Sequence, residues 1–354
     1  MKLRGIPNKR EFLVRMLERS GAIKLLERAL TRSPSALVVL TYHRIAERGT
    51  DGFYDPVISA APETFRAQLE WLSKRMRILT LAELDDRLRL GGPFNEPAAF
   101  VTFDDGYRDN FVEAVPILKE LDVPATFFIP TEFLESPKLP WWDHVAYVIK
   151  QTARRQLRLK VSPSDDDSPL AVELDGKPPD AAISAIIRAI LDGRIADLPW
   201  FLEHLATQAE VQVNSEILGR DLFMGWEEVR QLSEHGGRLT IGSHAHSHRS
   251  LSQLDLEAQQ RELGLSKQIL GERLGREIAA IAYPFGWPGT FNDATKTAAR
   301  DAGYRLAFAS RTGVNHPGAL DPFEINRIGV GAGDSPAMLR ARTALLCAFG
   351  RSFV

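Results

Sequence analysis

Short apolar runs alternate along the chain with segments whose apolar residues recur at helical spacing. The runs are rich in Ala, Val, Ile and aromatic residues and cover residues 36–43, 98–105, 124–130, 238–244, 279–286 and 304–310. The helical spacing predicts helices over 62–75, 111–121, 225–235 and 254–274. Continuously apolar strands that alternate with helices are typical of parallel βα units. There are enough such strands for an α/β barrel.

The middle of the chain, from about residue 131 to 220, has a different pattern. A polar tract, "SPSDDDSP", is followed by a strongly helical stretch, "DAAISAIIRAILDGRIADLPWFLEHLATQ". We expect an α-rich insertion that interrupts a barrel spanning residues 34–354. At its start, Trp141 and Trp142 would either stack on sugar rings or anchor the insertion through their apolar surface.

Residues 1–33 are basic and amphipathic. They contain nine Lys or Arg against three Glu, and their apolar residues Leu13, Leu17, Ile23, Leu26 and Leu30 recur at helical spacing. A helix of this kind suits an anionic membrane surface. The alternative is a helix packed on the main domain with its basic face in solvent.

Composition narrows the possible partners and locations. The chain has 354 residues, 44% hydrophobic and 25% charged, and a net charge of −2, so nothing in its charge suggests a nucleic-acid partner. One cysteine, Cys347, excludes an intramolecular disulfide framework. The chain has no apolar run of about 18 residues, and "MKLRGIPNKREF" lacks the apolar core of a signal peptide. We therefore expect a cytoplasmic protein, with residues 1–33 as a candidate contact with the inner membrane face.

Chemically active residues follow four of the predicted strands. These are His43, the pair Asp104-Asp105, the stretch His244–His248, and Pro284-Phe285-Gly286. In a parallel barrel the carboxyl ends of the strands meet on one face. We therefore expect these residues, far apart in sequence, to line one pocket.

His244 and His248 are the strongest metal-ligand candidates. By themselves they would also fit a solvated loop, but with Asp105 they form a common three-ligand set that leaves positions open for water and substrate. If one aspartate of the pair binds the metal, the other lies where a general base is needed, beside the activated water. An Asx-type turn in "DDGY", with Gly106 at positive φ, is compatible with this interpretation, and it explains the glycine but not the doubled charge.

Three motifs resemble those of the polysaccharide deacetylases of carbohydrate esterase family four, the NodB-homology family. "TFDDGYRDN" resembles the first motif, "GSHAHSHRSL" the second and "AYPFG" the third, and the resemblance covers roughly residues 36–130 and 222–330. It implies a distorted (β/α) barrel of the NodB-homology type. It also implies metal-dependent hydrolysis of N-acetyl groups, or O-acetyl groups, on a saccharide or glycoconjugate, with release of acetate.

The resemblance also implies roles for individual residues. Asp104 would be the general base, and Asp105, His244 and His248 would hold a divalent metal, usually Zn²⁺, with Co²⁺ or Ni²⁺ as alternatives. The backbone N–H of Phe285 would help to stabilise the oxyanion. The expected substrate is an N-acetylated saccharide or a lipid-linked glycan.

The chain departs from the family pattern at two places. Ala282 stands where the third motif usually has an arginine, and we consider Arg327, in "EINRIGV", the candidate replacement. The late Leu-x-His motif of many members is also missing. "LTYHRI" is similar to the early Tyr-His of the branch that contains exopolysaccharide deacetylases of the poly-N-acetylglucosamine type. His43 is therefore expected to be the general acid that protonates the leaving amine, with a structural histidine at a strand end as the alternative.

Two other functions fit part of this pattern. A non-haem iron oxygenase uses the same two histidines and one carboxylate. A carbohydrate-binding protein whose catalytic set has decayed would explain the missing arginine. The first would require oxygen and ferrous ion, and the second would bind saccharide without releasing acetate.

Overall fold

The computed structural model describes residues 36–91, 96–164, 169–176, 178–316, 318 and 320–349, together with residues 16, 18–21 and 23. The chain separates into two compact units. The larger unit consists of Met1–Glu47, Ile58–Glu135 and Phe223–Val354, and the smaller one of Arg48–Val57 and Ser136–Leu222. The smaller unit therefore combines the predicted insertion with a short segment that precedes it in sequence.

Strands and helices alternate through the described residues. In chain order the strands are β1 (Leu37–Tyr42), β2 (Arg44–Ile45), β3 (Ile58–Ala60), β4 (Arg77–Ile78), β5 (Ala98–Phe103), β6 (Ala125–Ile129), β7 (Gln156–Leu159), β8 (Leu170–Glu173), β9 (Leu239–Ser243), β10 (Ala280–Ala282), β11 (Leu306–Phe308) and β12 (Ile328–Gly329). The helices are α1 (Pro62–Ser73), α2 (Leu81–Leu90), α3 (Val115–Glu120), α4 (Thr131–Glu135), α5 (Trp141–Gln151), α6 (Pro179–Leu191), α7 (Leu198–Ala209), α8 (Ser215–Leu222), α9 (Trp226–Ser233), α10 (Leu256–Leu274), α11 (Asp293–Asp301) and α12 (Pro336–Phe349). A π-helical turn, Asn110–Ala114, leads directly into α3.

A curled parallel sheet is the framework of the larger unit. Its strand order is β11-β10-β9-β6-β5-β1-β12, with β4 paired to β5, and every pairing is parallel. Just before β12, Ile325 also forms a parallel bridge to Phe308 of β11, so the two ends of the sheet approach each other. The predicted distorted (β/α) barrel is confirmed.

Side chains alternate between the two faces of this sheet, as the period of a strand requires. The outward residues Val38, Leu40, Val101 and Phe127 pack in one cluster with residues of the surrounding helices. The inward residues Val39, Phe100, Phe128 and Phe308 pack in a separate cluster inside the barrel. Both faces are buried, which explains why these strands are continuously apolar in sequence.

The smaller unit has its own core. Helices α5–α8 belong to it, and Val145, Ile186, Phe201 and Leu205 are buried there. The strands β7 and β8 form an antiparallel pair that the sequence pattern did not predict. Trp142 is buried in this core and Trp141 packs against it, in agreement with the anchoring alternative for the tryptophan pair.

Most of the basic helix predicted over residues 1–33 lies outside the described residues. Of those that are described, Ile23 is fully buried beside Ala341, and Glu18 forms an ion pair with Arg340 at 3.0 Å. Both partners belong to α12. In the parts of the chain that the structure describes, no helix is both long enough and apolar enough to cross a membrane.

Candidate active site

A polar layer follows the apolar interior at the carboxyl end of the barrel strands. Thr41 of β1 and Thr102 of β5 point inward, and their hydroxyl groups lie 3.1 Å apart. The next inward positions on these strands are His43 and Asp104, and the N–H of Asp104 donates to the carbonyl of Tyr42 at 2.9 Å. The alternation of each strand therefore places an ionisable side chain directly after an inward-facing threonine.

Asp105, His244 and His248 converge as a set of three possible metal ligands. Their ligand atoms all lie within 4.8 Å of one another, and no other such set occurs among the described residues. Asp105 Oδ1 is 3.4 Å from His244 Nε2 and 3.2 Å from His248 Nε2, yet among the described residues this buried oxygen has no hydrogen-bond donor in suitable geometry. Three ligand atoms that face one another in this way fit a divalent cation between them.

Local contacts fix the orientation of the first histidine of this set. His244 is buried at the end of β9, and its Nδ1 lies 2.7 Å from the carbonyl oxygen of Ala282. A carbonyl can only accept, so Nδ1 carries a proton, and in the neutral ring that binds a metal the lone pair belongs to Nε2, the atom that faces Asp105.

The backbone is in the left-handed region where the ligands project. Asp105 has φ of 71° and His248 has φ of 51°, which is uncommon for residues other than glycine. Gly106 follows with φ of 73°, and a Cβ there would lie 2.9 Å from Ile129 Cγ2. The aspartate pair therefore lies in a tight turn, and this turn directs the side chain of Asp105 toward His244 and His248. Strained backbone of this kind is common at functional sites.

Arg327 lies directly against Asp104. Its Nη1 and Nη2 donate to the two carboxylate oxygens at 2.8 Å each, and its side chain is completely buried. Its Nε donates to the carbonyl of Ala309 at 3.0 Å, which fixes the plane of the guanidinium. The structure thus brings together the base candidate and the arginine proposed to replace the one missing at Ala282.

This ion pair controls the charge of Asp104. Burial alone would raise the pKa of the carboxyl, but the charge of Arg327, the protonated form of His244 and the hydrogen bonds of Arg327 outweigh burial and lower the pKa below its usual value. Asp104 Oδ2 is 4.0 Å from His244 Nε2. An ionised carboxylate therefore lies beside the ligand set without belonging to it.

The loop that carries the histidines is held by a residue that the sequence did not reveal. Glu262 of α10 accepts hydrogen bonds from the N–H groups of His246 and Ser247 at 3.0 and 2.8 Å, and from the hydroxyl of Ser247 at 2.5 Å. His246 points away from the ligand set, and its Nδ1 lies 2.8 Å from the hydroxyl of Thr131. In the sequence, Glu262 is one of several acidic residues on an amphipathic helix, and nothing distinguishes it.

Phe285 lies in a tight turn after β10. Its φ is 63° and that of Gly286 is 70°, and a Cβ on Gly286 would lie 2.6 Å from the backbone nitrogen of Ser310. Within the described residues the N–H of Phe285 donates no hydrogen bond.

The Phe285 ring centroid lies 4.9 Å from that of His248 and 5.1 Å from that of Trp287. Trp287 is 50% exposed, so an aromatic row leads from the ligand set to the surface.

His43 begins a corner between β1 and β2, beside the aspartate pair. Its charged form is one of the groups that lower the pKa of Asp104 and of Asp105, so it lies within electrostatic reach of both. Its backbone N–H donates to the hydroxyl of Ser59 at 2.9 Å. The side chain is partly exposed, as expected for a group that exchanges a proton with substrate.

Together, the barrel and its polar layer bring a candidate metal-binding set, an ionised carboxylate beside it and a histidine to one end of the strands, which is an arrangement suited to hydrolysis. The family model described as "Polysaccharide deacetylase" matches residues 91–158 and 198–307, about half of the chain. The chain therefore belongs to the polysaccharide deacetylase family, and it is a carbohydrate deacetylase by class. The resemblance seen in the three motifs is confirmed.

Individual relatives are distant. YxkH of Bacillus subtilis (strain 168), which is assigned to the polysaccharide deacetylases, is 21% identical over 284 residues, or 80% of this chain and 67% of its own length. The poly-beta-1,6-N-acetyl-D-glucosamine N-deacetylase of Escherichia coli (strain K12) is 26% identical over 104 residues, which is 29% of this chain but only 15% of that enzyme. The structure of the Streptococcus pyogenes deacetylase PplD in complex with acetate has a TM-score of 0.57 at 19% identity, and the match covers 86% of this chain and 97% of PplD. PplD thus shares the fold.

The pairing of Arg327 with Asp104 predicts a shift in pH dependence. In Arg327→Met the carboxyl loses the cation that lowers its pKa, so the acid limb of kcat/KM moves to higher pH. Arg327→Lys keeps the charge and should shift this limb less, although it loses the bidentate geometry. The rate of acetate release measured from pH 4 to 9 checks this, and an unshifted limb in the Met variant would contradict it.

Stability should change in the same variants. Removing the partner of a buried carboxylate costs about 3–5 kcal/mol, so Arg327→Met should unfold at lower denaturant concentration. In the unaltered protein the contribution of the pair is present above the unfolded pKa of aspartate, about 3.9, and is lost as pH falls through the lower folded pKa. Denaturant unfolding of both proteins at neutral and acidic pH measures the difference, which should shrink in acid.

Proposed function

We propose that the protein removes N-acetyl groups from a saccharide with the help of a divalent metal, most simply Zn²⁺, held by Asp105, His244 and His248. The observation that carries this proposal is the ionised Asp104, fixed by Arg327 at 4.0 Å from His244 Nε2 but outside the ligand set. A base is useful at this position for hydrolysis, since a water beside the metal must lose its proton. Co²⁺ and Ni²⁺ are alternatives, because both accept imidazole and carboxylate ligands.

Each residue of the proposed site has a separate role in the reaction. A bound cation would polarise the acetyl carbonyl and lower the pKa of a neighbouring water. Asp104 removes the proton from that water as it attacks, and Arg327 keeps the carboxylate ionised and oriented. The N–H of Phe285 donates to the oxyanion of the tetrahedral intermediate. His43 then protonates the nitrogen as the C–N bond breaks, and acetate and a free amino sugar leave.

The substrate class is supported by a relative and by the chemistry of the site. The E. coli relative is named for N-deacetylation of poly-beta-1,6-N-acetyl-D-glucosamine. An acid such as His43 is needed most when an amine leaves, because an amine is a poorer leaving group than an alcohol. A saccharide that contains N-acetylglucosamine is therefore our first choice, ahead of an O-acetylated one. A lipid-linked glycan at the inner membrane face is a further proposal, supported by the basic composition of residues 1–33.

The two other functions fit less well. An iron oxygenase would use the ligand set but has no need of a separate carboxylate held ionised by a buried arginine. A decayed binding protein was suggested by Ala282, but Arg327 lies against Asp104 in the role that an arginine at position 282 would have. The arrangement therefore favours a working hydrolase.

Acetate release over a panel of saccharides tests the proposed substrate class. We expect the purified protein with Zn²⁺, Co²⁺ or Ni²⁺ to release acetate from oligomers of N-acetylglucosamine faster than from O-acetylated sugars of similar size. Each release from the amide should leave one free amine. A preference for O-acetyl groups would overturn the choice of substrate while leaving the deacetylase class intact.

Trp287 should contribute to the binding of oligosaccharides. Its half-exposed ring continues the row formed by the rings of His248 and Phe285, and its loop is tied down by a hydrogen bond from Ser252 N–H to the carbonyl of Thr290 at 3.0 Å. Loss of such an apolar contact surface costs about 1–2 kcal/mol, so Trp287→Ala should raise KM for an oligomer about tenfold with little change in kcat. Trp71→Ala, on α1, serves as a control. An unchanged KM would contradict the assignment.

A further inference from the structure

The second half of the motif "TFDDGYRDN" contacts the corner between β1 and β2, the corner that begins with His43. Asn110 is fully buried, and its Nδ2 donates to the backbone carbonyl of His43 at 2.5 Å. The N–H of His43 is bound to Ser59 on the other side. The backbone of His43 is therefore held at both its donor and its acceptor.

Asp109 holds the two residues that follow. Its Oδ2 accepts from Arg44 Nε at 2.7 Å, and its Oδ1 accepts from the N–H of Ile45 at 3.1 Å. Asn110 Nδ2 also donates to Asp109 Oδ1 at 3.1 Å, which joins the two side chains into one network. Hydrogen bonds to ionised groups are stronger than neutral ones. The whole corner is thus fixed by two adjacent residues of the motif.

The two side chains stand at the start of an irregular helical turn. Asn110 begins the π-helical turn Asn110–Ala114 rather than a regular α-helical turn. An extra residue in a helical turn changes the direction in which side chains project, and such turns are frequent at functional sites. Here the turn starts six residues after Asp104. One short stretch of chain therefore carries the base, a metal ligand and the residues that hold the acid.

We propose that Asn110 and Asp109 are positioning residues that hold His43 within reach of the leaving nitrogen. The inference rests on the proposed function, in which His43 is the general acid. Small displacements of such a group reduce rates strongly, because proton transfer requires hydrogen-bond distance. The motif thus sets the distance between base and acid as well as supplying the base and a ligand.

Two substrates with different leaving groups separate this role from a general structural one. An N-acetylglucosamine oligomer loses an amine that must be protonated, whereas 4-nitrophenyl acetate loses a phenolate that leaves without a proton. Loss of the general acid costs about a hundredfold or more. We expect His43→Ala to lower kcat on the oligomer by that amount and Asn110→Ala about tenfold, both with KM nearly unchanged. On the aryl ester Asn110→Ala should stay within about twofold of the unaltered protein, because no proton has to reach the leaving group.

A matched control removes a buried amide elsewhere in the barrel. Gln259 is also buried. Its Nε2 donates to the carbonyl of Leu254 at 3.0 Å and its Oε1 accepts from the hydroxyl of Thr295 at 2.7 Å, so Gln259→Ala removes a buried, hydrogen-bonded amide away from His43. It should affect both substrates equally. Equal losses on both substrates in Asn110→Ala, or no loss on either, would overturn the proposal.

Hydrogen–deuterium exchange tests, without depending on activity, whether Asn110 and Asp109 hold the corner at His43; we call this set of hydrogen bonds the clamp. Asn110→Ala and the milder Asp109→Asn should both speed exchange at the N–H groups of His43 and Ile45, while the ends of β6 and β9 keep their protection. Unchanged exchange at this corner would contradict the clamp. An unaltered protein that releases no acetate from any substrate would count against the proposed function, and the exchange result would still decide whether the clamp exists.

Discussion

Replacing Asp104 with Asn is expected to reduce kcat for acetate release about a thousandfold while the protein keeps its metal. The amide has nearly the same shape but cannot accept the proton of the attacking water. Asp105, His244 and His248 are unaltered, so the ligand set stays intact. Metal content and acetate release, measured on the same purified sample, check both halves of this expectation.

A control variant is needed because Asp104→Asn also leaves the buried guanidinium of Arg327 without its carboxylate. Asp55 is another buried aspartate, paired with Lys150 at 3.0 Å in the smaller unit. Asp55→Asn removes a comparable ion pair and should leave kcat almost unchanged. Thermal unfolding of both variants checks that they are folded. Near-normal activity in Asp104→Asn would remove the base from the mechanism.

Replacing His248 with Ala should abolish both metal binding and activity. The site then has two ligands left, and Asp105 faces a cavity where an imidazole had been. Altering even an outer contact of a metal site costs about 10- to 100-fold in affinity, so loss of a direct ligand should exceed that range. Isothermal titration calorimetry with Zn²⁺ measures the change in metal affinity.

His246→Ala is the matched control for this variant. His246 lies on the same loop, two residues away, but its ring faces Thr131. It should retain metal and most activity, because the loop is still held through the bonds from His246 N–H and Ser247 to Glu262. If His246→Ala lost metal while His248→Ala kept it, the ligand set would be wrong.

Much of this site could be predicted from the sequence, because its residues follow strands. A buried parallel strand is recognisable from its apolar run, and the residues after it must lie at the carboxyl edge. His244 and His248 are also close in sequence, so their spacing carried information. Asp104 and Arg327 are different, since they are 223 residues apart and meet only when the curled sheet brings β12 beside β1. The departure at Ala282 suggested that a replacement existed, but the bidentate contact depends on closure of the barrel.

The supporting contacts could not be predicted. Asn110 and Glu262 form hydrogen bonds with backbone groups of distant segments. Every residue has these backbone groups, so the sequence does not indicate which of them will be bound. The left-handed backbone of Asp105 and His248 is also invisible, because that region is usually associated with glycine. The apolar pattern thus indicates which strand ends carry the candidate site residues. The contacts that orient those side chains depend on the tertiary structure.

The most direct test of the account is acetate release from an N-acetylglucosamine oligomer before and after metal removal. We expect the purified protein to release acetate and an equal amount of free amine, a chelator to stop the reaction, and added Zn²⁺, Co²⁺ or Ni²⁺ to restore it. Release that persists in the metal-free protein, or no release with any of these metals, would contradict it.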